Sequence, residues 1–140
     1  MYADFTFYSV TFYGDTIPED KFDKYATRAS DYIDYLTWNK AQAMAEDPAV
    51  KKCCCALAEQ YMSIDALWTA ASAKVTEDGI ISSESVGSHS RSFRTGAEAE
   101  QAIQEAEKAL ASIARRYLLP TGLLYRGVNT CVHTAHCNDI

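Results

Sequence analysis

The stretch Pro18–Thr37 reads PEDKFDKYATRASDYIDYLT. Its apolar positions, Phe22, Tyr25, Ala26, Ala29, Tyr32, Ile33 and Leu36, recur at spacings of three and four. That period gathers them into one stripe along a helix and leaves the charged residues on the other face. Pro18, Glu19 and Asp20 stand in the first turn, where proline lacks only an N–H that would be unpaired anyway and acids meet the positive end of the helix dipole. The pattern predicts a helix over Pro18–Thr37 with one buried face.

The same period recurs twice downstream. Asp47-Pro48 reads as an N-cap followed by proline at the first helical position. Val50, Cys54, Leu57, Tyr61, Ile64, Trp68 and Ala71 then form a second stripe. Cys54 falls on its inner face, with Cys53 and Cys55 turned by about 100° to either side, toward partly exposed positions. A third helix is predicted over Ala97–Tyr117, capped by Thr95 or Gly96, with Ala99, Ile103, Ala106, Leu110, Ile113 and Tyr117 on its inner face. Its acids come early and Arg115 and Arg116 come late, which suits the dipole at both ends. Pro120 and Gly122 stop it. These helices define an all-α chain, a small bundle of three main helices.

Two segments break the pattern. Residues 75–96 are rich in serine and glycine, with Asp78-Gly79 as a turn signal, and read as a β-hairpin-like insertion between the second and third helices. Residues 5–13, Phe5-Thr6-Phe7-Tyr8-Ser9-Val10-Thr11-Phe12-Tyr13, favour a strand by composition, yet Phe5, Tyr8 and Phe12 also fit helical spacing. Residues 118–140 have few charges and no clean period. The expected organisation is one helical domain over 1–128 and a C-terminal tail over 129–140.

Length and composition set outer limits. The 140 residues suffice for one core and not for two ordinary domains. Apolar residues make up 48% and charged residues 23%, the balance of a soluble fold. A net charge of −6 argues against sequence-independent nucleic-acid binding. Residues 1–47 hold most of the excess, with nine acids against four bases. No apolar run reaches the ~18 residues of a membrane span. Five cysteines, three of them consecutive, make a poor disulfide framework and fit free thiols in a reducing, cytoplasm-like compartment.

Few residues carry recognisable chemistry. Cys131, His133, His136 and Cys137 form the donor set of a structural zinc site. Four ligands within seven residues crowd one ion, however, and such sites usually draw on two separated elements. Cys53-Cys54-Cys55 lies near Lys51, Lys52 and a helix N-terminus, which would activate a thiol; the alternative is that Cys54 packs as a small hydrophobe. A catalytic thiol there would need a histidine base, and the histidines, His89, His133 and His136, all fall in the insertion or tail. Ser83, Glu84, Ser85 and His89 lack the Gly-x-Ser-x-Gly turn of a serine hydrolase. No phosphate loop, dinucleotide fingerprint or His-Glu-x-x-His is present. The chain is therefore expected not to be an enzyme and to need no cofactor. Tyr125 and Arg126 stand together near the end, and both residue types concentrate at interface centres.

Several stretches, in order around the three helices, also match a known pattern. They are Ile17-Pro18, Phe22, Arg28-Ala29-Ser30, Ile33 with Thr37, Ile81-Ser82-Ser83-Glu84-Ser85-Val86-Gly87, and Thr121-Gly122-Leu123-Leu124-Tyr125-Arg126-Gly127-Val128. In these the chain resembles the small head–tail connector proteins of tailed bacteriophages, also called head-completion or adaptor proteins, and their prophage-encoded homologues. The resemblance covers roughly residues 5–128; the triple cysteine and the Cys/His tail lie outside its pattern. It implies a helical protein of the virion neck, assembled in the bacterial cytoplasm as a ring, typically of twelve copies, under the portal protein. DNA passes through such a ring without sequence-specific binding, and the ring offers a landing surface to the next neck or tail-completion protein. By that resemblance Ser83, Glu84, Ser85, Val86 and Gly87 meet the adjacent subunit or the next neck component. Leu123, Leu124, Tyr125 and Arg126 are then the portal-facing anchor. The plainer alternative makes the insertion a surface hairpin and the tail an ordered cap on the bundle. An alternative from another class is a metal-binding or redox-sensing helical module built on Cys131, His133, His136 and Cys137.

Overall fold

The structure, a computed structural model, describes residues 1–78 and 96–125. The described residues are all-α, with no strand among them. An N-terminal π-helical turn, Phe7–Thr11, precedes helix α1, Glu19–Thr37. A short 3₁₀ segment, Lys40–Met44, leads to α2, Pro48–Asp78, and α3 runs over Gly96–Leu118 into a last 3₁₀ turn, Leu119–Thr121. Helix α2 packs against both α1 and α3, while α1 and α3 barely meet. No described helix is long and apolar enough to cross a membrane.

The expected helix starts hold within a residue. Pro18, in extended conformation, is the residue before α1, and Asp47 Oδ1 accepts the Ala49 N–H at 2.8 Å as an N-cap. Phe22, Ala26, Ala29 and Ile33 of α1 are fully buried, as are Val50 and Leu57 of α2. Truncating Phe22 to alanine would cost about 3–5 kcal/mol on the scale of large-to-small core changes.

The central helix departs from expectation at both ends. Cys53, Cys54 and Cys55 are all fully buried, not one inward and two partly exposed. Three consecutive helical residues sweep about 200° of circumference. Their joint burial therefore requires cover on most sides of α2. On one side α1 supplies Ala26, whose carbonyl lies 3.5 Å from Cys54 Sγ, and Ser30, whose Oγ is equally close. The N-terminal residues close another side, anchored where the Tyr2 N–H donates to Ser30 Oγ at 2.9 Å. Small side chains on both helices (Ala26, Ala29 and the thiols) permit this close approach. At the other end α2 continues through Asp78, so residues 75–78 are helical and not part of a hairpin. The rest of the proposed insertion, residues 79–95, lies outside the described residues. Trp68, placed on the inner stripe by its spacing, is 51% exposed.

The N-terminal stretch resolves as helix. Tyr8 is fully buried, 4.9 Å from the ring of Phe22 and 5.9 Å from those of Phe5 and Phe12. Its hydroxyl donates to Glu59 Oε1 at 2.7 Å and accepts the N–H groups of Thr16 and Ile17, each at 3.0 Å. A buried phenol thus has every polar site used. The chain crosses its ring at Gly14, where an added Cβ would lie 2.0 Å from Tyr8 Cε2.

Candidate interaction surface

The end of α1 places aromatic side chains in solvent. Thr37 Oγ1 donates to the Ile33 carbonyl at 2.8 Å and accepts the Ala41 N–H at 3.3 Å, which turns the chain inward beyond the helix. Trp38 and Asn39 both take left-handed backbone conformations, with φ of 55° and 63°. Their N–H groups point back to the Asp34 carbonyl. Glycine or asparagine is the usual residue in such a helix stop. A tryptophan there costs on the order of 1 kcal/mol of backbone strain. The indole at this turn has 68% of its surface exposed, beside Tyr35 at 75%.

Asp31, Asp34, Tyr35, Trp38 and Asn39 line an open concavity of about 570 Å³ at this corner. Asp34 is fixed from beneath: one oxygen accepts the Tyr2 hydroxyl and the other accepts Gln42 Nε2 at 3.4 Å. Burial, then the Asp34 carboxylate, pushes the Tyr2 phenol well above its ordinary range, so it stays a donor. The rim is joined to the chain beyond α3, because Lys40 Nζ donates to the Tyr125 carbonyl at 2.7 Å. Carboxylates beside exposed aromatic faces are suited to holding cationic side chains, by charge and by cation–π contact.

The residues proposed as a portal-facing anchor separate here. Leu123 is buried in the core and Leu124 packs against it, so these two cap the bundle. Thr121 Oγ1 fixes the turn, accepting the Leu123 N–H at 3.2 Å, and Gly122 takes the left-handed φ of 78° that the turn needs. Tyr125 stands out, 58% exposed. Arg126, Ser83, Glu84, Ser85, Val86, Gly87, Cys131, His133, His136 and Cys137 lie outside the described residues.

The three buried thiols have the opposite of a reactive setting. Desolvation, then the charge of neighbouring groups, pushes Cys55 up to about 12 and Cys53 higher still. Cys54 also rises by burial, although the Ser30 hydroxyl and backbone donors oppose the shift. The lysines and helix N-terminus that suggested activation do not offset this burial. On the opposite side of α1, Asp65 receives Lys24 and Arg28 at 3.0 Å each, and Arg28 lies 4.7 Å from the Tyr61 ring centre. Among the described residues no three metal-ligating side chains cluster.

Sequence reasoning missed Tyr35 and Trp38. The available signal was negative: Tyr35 lies off the buried stripe of α1, and Trp38 follows the last stripe position, Leu36. No family model matches the chain, and no curated protein or solved structure matches it either.

Proposed function

We propose that this chain is a structural protein of the tailed-phage neck, a head–tail connector that assembles as a ring under a portal protein. In this role the ring, of twelve copies, extends the DNA channel without reading sequence, and its far side receives the next neck or tail-completion protein. The observation that carries the reading is the exposed Tyr125 beside the aromatic corner of α1. Leu123 is buried in the bundle two residues before Tyr125, which stands exposed. Exposed aromatics grouped on a small protein are the usual mark of an interface. The acidic charge of the chain suits a channel wall that must not grip DNA. Tyr125 is the portal-facing anchor, and Ser83–Gly87 meet the adjacent subunit or the next component.

Particle mass by light scattering and shape by negative-stain microscopy, with and without a tailed-phage portal protein, test this reading. Ring density added to the portal is the expected result. A monomer that ignores the portal overturns it. Replacing Tyr125 by alanine should weaken portal binding by about 2 kcal/mol or more in a calorimetric titration, as for a buried interface anchor. Unchanged affinity removes Tyr125 from that role.

A further inference from the structure

The outer faces of α1 and α3 carry opposite charge at one end of the bundle. Between Asp31 and Trp38 the chain holds two acids and no base; between Lys108 and Tyr125 it holds three bases and no acid. Arg115 and Arg116, in the last turn of α3, are both exposed. Asp31 is exposed and Asp34 half-buried on the α1 side. Among the described residues, none of these four groups takes part in an ion pair. The Lys40–Tyr125 contact brings the chain beyond α3 to the end of α1, so both patches sit at the same end. Since α1 and α3 flank α2 and barely touch, the patches belong to different sides of the molecule.

We infer that the Asp31/Tyr35/Trp38 concavity receives the Arg115–Arg116 turn of a second copy of this chain. The inference rests on the connector reading and names its subunit contact. Two different surfaces at one level of the molecule make a heterologous contact, and repetition of such a contact about an axis closes a ring. Copies that each carry −6 repel one another overall, and a contact that pairs a locally basic turn with a locally acidic one offsets that repulsion. The chemistry of the two sides fits. A guanidinium can bridge to Asp31 while its flat face stacks on the exposed phenol of Tyr35. Lysine would satisfy the charge but not the stacking.

Sedimentation of the full chain tests the pairing, using wild type, Asp31→Arg, the Arg115→Glu/Arg116→Glu double variant, and the chain carrying all three changes. Each reversal should raise the concentration needed for assembly by roughly tenfold or more, and the charge-swapped chain should recover most of that loss. Wild-type assembly should also weaken as salt rises. The Asp31→Arg chain should melt as wild type does, and the double reversal, which puts acids at the negative end of the α3 dipole, should melt slightly lower while remaining folded. The charge-neutral Asp31→Asn and Arg116→Gln, which add no repulsion within the bundle, should move assembly the same way by a smaller factor. Rings that form equally well from the reversed chains overturn this contact and leave the connector reading standing. Reversals that both dissociate without recovery in the swapped chain place the patches on separate contacts and overturn the pairing. A wild type that stays monomeric, alone and with the portal, overturns both.

Discussion

The thiol-bearing turns of α2 and the aromatic end of α1 invert what their residues suggest. Three cysteines near lysines and a helix start look reactive, yet they are sealed inside the bundle and their thiols are harder to ionise than in water. Tyr35 and Trp38 belong to residue types that usually fill cores, yet each has more than two thirds of its surface in solvent. What separates the regions is cover. The first part of α2 lies beneath α1 and the N-terminal residues, whereas Tyr35 and Trp38 at the end of α1 stay largely exposed among the described residues. Burial suppresses thiol chemistry at the first site, and exposure leaves the aromatic rings of the second in solvent.

The largest test of that contrast is alkaline stability. Cys53, Cys54 and Cys55 have folded pKa values above the unfolded value of 9.0. Above pH ~9 the unfolded chain therefore releases thiol protons that the folded chain keeps. The stability these groups contribute is complete below pH ~9 and is lost as pH rises towards their folded values. Each thiol removes about 1.4 kcal/mol per pH unit in that window, so the three together approach ~4 kcal/mol per unit. Urea unfolding followed from pH 8 to 11 should show this steep decline, and Cys54→Ala should flatten it by about a third. A stability flat across that range would mean the thiols are open to water.

The extent of this sealing could not be read from the sequence. The three-four spacing of Phe22, Ala26, Ala29 and Ile33 shows which side of α1 faces inward, and all four are fully buried. In α2 the spacing selects Cys54 alone, but a helix covered from several directions has no single inner side. The pattern holds no record of the second and third partners. Trp68 fails in the reverse sense, keeping the period of a stripe while half of its surface lies in solvent. For residues 5–13 the local preference for strand competes with helical spacing. The helix prevails because Tyr8 gains a hydroxyl partner in Glu59, 51 residues away. Leu123 and Tyr125 are near neighbours with opposite fates, decided by a turn at Gly122 that leucine-rich composition does not reveal.

A second test, of intermediate size, addresses how the N-terminal cover is held. Gly14 passes over the Tyr8 ring so closely that any side chain collides with it. The ring is fully buried among Phe5, Phe12 and Phe22 and cannot swing aside freely. Gly14→Ala should cost about 2–3 kcal/mol, the upper range for overpacking a core. It should also speed labelling of the cysteines by a thiol reagent in native buffer, because the N-terminal residues are part of their lid. Wild-type labelling rates in a destabilised variant would separate the lid from the thiols.

The smallest expected effect sharpens the exposed side of the comparison. Tyr35 touches the bundle chiefly through the ring of Tyr32, with centroids 6.4 Å apart. A side chain that is 75% exposed has little burial to lose, so Tyr35→Ala should change folding stability by no more than about 0.5 kcal/mol. If the aromatic corner is held out for a partner, the same change should lower assembly or portal binding far more than it lowers the melting temperature. Equal losses in both would mean that Tyr35 supports the fold from outside, and would return the corner to the ordinary surface of a helix. A loss of binding at unchanged stability would tie the left-handed turn at Trp38, costly in an isolated chain, to a contact between chains.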